Sequence, residues 1–262
     1  MKRLAIALTL LAALFLHGAE KLRIADATDS DGSAVTRILL TLAAEQPQLE
    51  ISFRRIDAGS AFEKFEAGDF DVVLVNGGDL PRKFRDRALR YSTGAFIAVV
   101  NIKNPLRDIG VKDLRLLIDT PRPRWELVGG SASEIHRCVV LDRNGVTVGA
   151  KMLALATRAR DMLTFQTVGE AFMIAENDPV ALVWGPFTAS LPMTMVALKV
   201  HGTAPTRAEI RAGRYPLSVG RFAVGSAKPN GPARRFLELL RSGEFAKFVE
   251  EDNEIPELPE LR

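Results

Sequence analysis

Asp71–Val75, read Asp-Val-Val-Leu-Val, is the stretch that most restricts what this chain can fold into. Four consecutive apolar residues of mostly β-branched type suit a central parallel strand covered on both faces, and they do not alternate as a half-exposed strand would. The segments before it complete a pattern. Leu22–Ala25 reads as a short strand, and Val35, Ile38, Leu39, Leu42 and Ala43 mark one face of a helix that stops near Pro47. Leu49–Phe53 alternates as a second strand, and a helix over Ala61–Ala67 ends at Gly68. A β-α-β-α-β order predicts an α/β sheet with ligands at the carboxyl ends of its strands, beside helix N-termini.

The next informative block is Phe96–Gly130. Ile97–Val100 is an apolar strand closed by Asn101, and Asn104-Pro105 forces a turn, since proline disfavours a helical residue before it. Val111, Leu114, Leu117 and Ile118 recur at helical spacing behind a Gly110 N-cap, and a basic loop with Trp125 and Gly129-Gly130 follows. Further along, Val139–Leu141 reads as a strand, Thr147–Arg160 and Val168–Glu176 as helices, and Val180–Trp184 and Met195–Val200 as strands. Thr206 and Glu209 have capping-box spacing ahead of a helix closed by Gly213. Leu217–Val224 is a returning strand, and helices over Pro232–Arg241 and Glu244–Glu251 finish the chain.

The ends and composition bound the function. Lys2-Arg3, the apolar run Leu4–Leu16 and Ala19 have the form of an export signal over residues 1–19, with His17 a poor fit to the usual small residue near the cut. The expected location is periplasmic, and thirteen apolar residues fall short of the ~20 that span a bilayer. Removal of the leader takes Lys2 and Arg3 from the 35 basic residues and none of the 32 acidic ones, leaving a formal charge of +1. Near-neutrality gives no reason to expect nucleic acid or, after cleavage, membrane insertion. Cys138 is the single cysteine and reads as a buried small hydrophobe; with His136 and His201 it makes too few ligands for zinc. No cofactor is expected, and no nucleophile elbow, dinucleotide loop or P-loop is present, which disfavours an enzyme. Met193 and Met195 read as packing residues, and Arg122, Arg124 and Arg137 around Trp125 either form a basic rim or are ordinary surface arginines.

The order strand, Asn-Pro-Leu, short helix, basic loop with Trp-Gly-Gly resembles the phosphate-type periplasmic substrate-binding proteins of ABC transporters. Asp178–Gly185, Lys199–Thr206, Gly213–Ser218, Phe236–Phe245 and Asn253–Pro256 resemble that family's later segments in the same order. The resemblance implies an α/β, two-lobed type II periplasmic-binding-protein fold, each lobe a mixed, mostly parallel sheet flanked by helices. It divides the chain into lobe 1 over residues 20–95 and 221–262 and lobe 2 over residues 96–220.

It also implies a non-enzymatic, monomeric protein that closes on a small oxyanion, phosphate foremost, for an ABC permease or an envelope sensor. The other reading is a module of this fold that has lost its ligand and serves as an envelope interaction or structural protein. By position, the oxyanion would be held by Gly32, Ser33, Ser60 and Asn76 on one lobe and by Arg143, Asn144 and Thr147 on the other. Helix N-termini and a guanidinium suit that task physically. Ser33 is equally suited to cap its helix, and Asn76-Gly77-Gly78, which replaces a serine with a charged partner, also reads as a plain turn. After Arg143 the family's Ser-Gly-Thr is Thr147-Val148-Gly149 here. Asp26, Asp29 and Asp31 read either as solvated loop acids or as acceptors for a protonated oxyanion; their spacing does not fit a calcium loop.

Overall fold

Val72–Val75 are almost wholly inaccessible to solvent, because helices cover both faces of the sheet they sit in. The structure is a computed structural model that describes residues 20–30, 32–142, 145–155 and 161–257. The expected leader at residues 1–19 therefore lies outside the described residues. Among the described residues no helix is long and apolar enough to cross a membrane.

Strand β1 (Lys21–Ala27) leads into helix α1 (Ser33–Glu45), β2 (Glu50–Arg55), α2 (Ala58–Glu66) and β3 (Val72–Asn76). β1 pairs in parallel with both β2 and β3. The apolar stripe of α1, including Ile38 and Leu42, packs against Leu22 and Ile24. On the opposite face, Phe62 and Phe65 of α2 pack against Val73 and Val75.

The chain then enters β4 (Ala88–Asn101), fourteen residues that connect the two halves of the molecule. The second half contains β5 (Asp108–Ile109), α3 (Val111–Asp119), β6 (His136–Val140), α4 (Ala150–Leu153), β7 (Leu163–Phe165), α5 (Val168–Ala175), β8 (Ala181–Pro186), β9 (Met195–Ala197), β10 (Lys199–Val200) and α6 (Arg207–Arg211). It closes with β11 (Ser218–Gly225), after which α7 (Gly231–Leu239), α8 (Gly243–Glu251) and β12 (Ile255–Pro256) return to the first half. The main strand order is β2-β1-β3-β11-β4-β8-β6-β7. β4 pairs with β11 from Ala88 to Ala95 and with β8 from Phe96 to Val100, both antiparallel. The change of partner at Ala95/Phe96 is where one sheet becomes the other. Phe236, Leu239, Phe245 and Val249 of α7 and α8 join the cluster that holds Leu22 and Ile38.

Several expectations from the sequence need correction. The helix read over Thr147–Arg160 is only the four residues of α4 among those described, with 156–160 outside them. Thr147 is bridged back to Leu141, Gly149 has φ of +68° and Ala154 is left-handed, so regular helix cannot run through either end. Met195–Val200 is two strands, since β9 pairs with β4 and β10 with β5. Thr206 caps α6 through the Glu209 amide, but the Glu209 carboxylate is taken by Arg214 at 2.6 and 2.8 Å. The complete capping box is at Thr167 and Glu170. Met193 is 97% exposed while Met195 is buried.

Trp125 is fully buried, and Arg137 is no surface residue: it donates to the carbonyls of Ile118 and Thr120 at the end of α3. A guanidinium there satisfies helix carbonyls left without intrahelical donors. Cys138 is buried as expected, and burial pushes its thiol up to about 11.

Gly149 explains part of the altered Thr-Val-Gly loop. A Cβ at this position would sit 2.9 Å from the Phe96 ring and 3.0 Å from that of Trp184, in a backbone conformation that side chains disfavour. Gly149→Ala is expected to cost about 1–3 kcal/mol. Urea unfolding of the two proteins measures it, and equal midpoints would show that the loop relaxes freely.

Candidate functional site

Two adjoining cavities of about 340 and 230 Å³ open between the halves of the molecule, and both are lined by Asp29, Asp142 and Val148. They lie beside the carboxyl ends of β1, β3 and β6, where an α/β sheet places its ligands.

The smaller cavity receives Thr28 and Asn76 from one half and Thr147 and Lys151 from the other. Asn76 ends β3, is 7% exposed, and its Oδ1 has no hydrogen-bond partner among the described residues. Thr28 is committed inward: its amide and hydroxyl donate to Asp26 Oδ1 at 3.0 and 2.7 Å. Asp26 Oδ2 in turn accepts from Arg55 Nε and Nη2, at 3.2 and 2.8 Å. Lys151 Nζ lies 3.3 Å from Asp79 Oδ2, an exposed contact that joins the two halves across the cavity mouth.

The larger cavity is organised by Arg221, which projects from the middle of β11 and is 5% exposed. Its Nη2 is 3.3 Å from Asp29 Oδ1, and its Nη1 contacts Glu254 Oε1. Burial works against the guanidinium charge, but the two carboxylates outweigh it and hold its pKa above the ordinary arginine value. Gly94 makes room for the group, since a Cβ there would come within 2.8 Å of Nη1 and 2.9 Å of Nη2. Glu254 also accepts from Ser30 Oγ at 3.1 Å and Ser92 Oγ at 2.9 Å. The turn after α8 therefore carries a carboxylate into a set of donors supplied by the first loop, β4 and β11.

Asp252 makes a second such contact. Its oxygens accept from Ser33 Oγ at 2.7 and 2.8 Å, from the Ala34 amide at 2.7 Å and from Arg37 Nη2 at 2.8 Å. The N-terminus of α1 is thus satisfied by the chain's own carboxylate, as the partial positive charge there favours.

Of the residues singled out from the sequence, Asn76 and Thr147 line one cavity from opposite sides. Gly32 and Ser33 line neither cavity; Gly32 precedes α1 with φ of +75°, and the Ser33 hydroxyl turns to Asp252. Ser60 also lies away from both, its amide donating to the Asp57 cap of α2 at 2.9 Å. Arg143 and Asn144 lie outside the described residues, as does Asp31. Asp26 and Asp29 are not solvated loop acids, because each faces an arginine.

Sequence reasoning passed over Arg221, Asp142, Lys151 and Glu254. A charged residue inside the otherwise apolar returning strand was the available signal for Arg221, whereas nothing local ties Glu254 to it. Among the described residues no group of three or more His, Cys, Asp or Glu side chains could hold a metal ion.

No family model matches the chain. It is 21% identical over 237 residues to the phosphate-binding protein PstS of Bacillus subtilis, across 86% of this chain and 78% of that protein. Its fold is similar to that of a possible phosphate binding protein from Planctomyces limnophilus, with TM-score 0.79, 18% identity and coverage of 92% and 94% of the two chains. It is also similar to an ABC-type phosphate transport receptor from Vibrio cholerae, with TM-score 0.72, 14% identity and coverage of 91% and 100%. The fold is the two-lobed type II periplasmic-binding-protein fold, and the resemblance read from the order of the motifs is matched by likeness along most of the chain.

Replacing Arg221 leaves Glu254 and Asp29 facing a buried apolar group. Arg221→Met is expected to destabilise the protein by about 3–5 kcal/mol, with Glu254→Gln in the same chain recovering part of the loss. Urea unfolding of the single and double variants tests the pairing. A single variant as stable as the parent would show that the contact does not hold the site together.

Proposed function

We propose that the protein is an exported periplasmic solute-binding protein that closes its two lobes on a small oxyanion, phosphate, for delivery to an ABC permease or for sensing. The observation that carries this reading is Asn76 facing the same cavity as Thr147, with its Oδ1 buried and unpartnered. A buried polar atom left without a partner costs about 1–3 kcal/mol, so its retention at a cavity wall fits a ligand that completes the bond. Asp29 and Asp142 add carboxylate acceptors to that wall. A wall rich in acceptors favours an anion that carries a proton, which monohydrogen phosphate does and sulfate at neutral pH does not.

Likeness to PstS of Bacillus subtilis supports the phosphate reading. Closure supplies the mechanism. A ligand touching Asn76 on one lobe and Thr147 on the other binds the closed form more tightly than the open one, and that difference in affinity shifts the population. By its place in the resemblance, Arg143 contributes the guanidinium; it follows Asp142, whose Oδ1 accepts from the Val146 amide. The chain acts without catalysis in this role.

Thermal unfolding of protein stripped of bound anions tests the proposal. Phosphate at 100 times its dissociation constant adds about 2.7 kcal/mol, a rise of roughly 5–10 °C in a domain of this size. Sulfate is expected to leave the midpoint unmoved, and Asn76→Ala and Arg143→Ala each to remove most of the phosphate shift. If phosphate leaves the midpoint unmoved, the oxyanion reading falls and an envelope interaction module takes its place.

A further inference from the structure

We infer that a groove in the second lobe, apart from the oxyanion cleft, binds a small monocarboxylate with an apolar tail, its carboxylate on Arg207 and its tail against Ile97, Phe187 and Leu191. The inference stands independently of the phosphate reading.

The groove has a volume of about 310 Å³. It is lined by Ile97 of β4, Ala197 of β9, the chain after β8 that holds Phe187 and Leu191, and Pro205 to Arg207 at the start of α6. Pockets that bury small organic molecules begin at about 300 Å³. Phe187 also lines the larger cleft cavity, and it is the one residue the two share. The groove can therefore be filled without occupying the cleft. Ile97 and Phe187 are buried, whereas Leu191, Ala197 and Pro205 are half-buried and keep apolar surface in contact with water. A tail that covers them gains about 25 cal/mol per Å² of apolar surface removed from water.

Charge gives the head of the ligand. Arg207 is half-buried, and among the described residues its guanidinium has neither an ion pair nor a hydrogen bond. That sets it apart from the others of similar burial. Arg23, Arg37, Arg90, Arg221 and Arg235 each face a carboxylate, and Arg137 donates to helix carbonyls. A guanidinium drawn partly out of water without a partner is unfavourable, and a carboxylate answers it with two parallel N–H···O bonds. Thr206 supplies a further donor, because its hydroxyl oxygen accepts from the Glu209 amide at 3.2 Å and keeps its own proton to give. Among the described residues no carboxylate lines the groove. One cation and one hydroxyl among apolar walls suit a monoanion, whereas a doubly charged anion would leave charge uncompensated beside Ile97 and Phe187.

The test is calorimetric titration of the full chain with octanoate below its micelle threshold, octan-1-ol and acetate. One octanoate per chain is expected to bind about tenfold more tightly than octan-1-ol, with no measurable binding of acetate. Arg207→Gln is expected to weaken octanoate about tenfold, to leave octan-1-ol within about twofold and to leave the phosphate-induced thermal shift as it is in the parent. Ala189→Trp, on the exposed rim of the groove, is expected to weaken octanoate and octan-1-ol together by filling their space. Equal affinity for octanoate and octan-1-ol, or octanoate binding unchanged in Arg207→Gln, overturns the carboxylate assignment. Acetate binding as tightly as octanoate overturns the apolar tail. Uptake of several octanoates per chain, binding unaffected by Ala189→Trp, or no binding at all overturns the site, and each of these leaves the oxyanion reading standing.

Discussion

The contact of Arg221 with Asp29 and Glu254 is the interaction around which the cleft is arranged. A guanidinium inside a strand is costly to bury, and it is tolerated only where carboxylates and space are supplied together. Here the space comes from Gly94 on the neighbouring strand, and the carboxylates from the first loop and from the turn after the last helix. Residues 29, 94, 221 and 254 thereby meet where β4 and β11 pass between the halves of the molecule. β4 pairs with strands of both halves, so the charge arrangement sits at the connection between them.

The two C-terminal carboxylates do different things with the same chemistry. Asp252 satisfies the first amides of α1 together with the Ser33 hydroxyl and Arg37, which turns that helix end from a ligand site into a structural joint between α1 and α8. Glu254 gathers Ser30, Ser92 and Arg221 and ties the same turn to the cleft wall. Among the described residues, Asn76 and Thr147 line the smaller cavity, and the larger one adjoins it with apolar walls at Phe96, Val140 and Phe187.

Much of the fold was legible in the chain. Val72–Val75 announced a doubly covered strand, the stripe over Val35–Leu42 a helix, and the motif order from Phe96 onward the crossover into a second lobe. The failures came where local pattern met tertiary demand. Thr147–Arg160 reads as a helix by its apolar spacing, yet the loop must pass beneath Phe96 and Trp184, and Gly149 yields a turn there. Of the candidate residues, Asn76 and Thr147 were singled out by their places in the resemblance, and the structure brings both to one cavity. Arg221 and Glu254 were not, because their pairing spans the whole second lobe and leaves no local periodicity.

The sequence by itself determined the alternation of strands and helices, the α/β class and a formal charge of +1 over residues 20–262, while the two-lobed arrangement came from the order of the motifs and the family it resembles. The alternation and the class follow from short-range spacing of apolar residues, which any one chain displays openly. Only the tertiary structure decided which polar groups face the cleft and which are spent on the chain itself. Ser33 and Asn76 look alike as candidates along the chain, but one meets Asp252 and the other meets a cavity. That difference depends on where a distant C-terminal turn comes to rest, which is a property of packing in three dimensions.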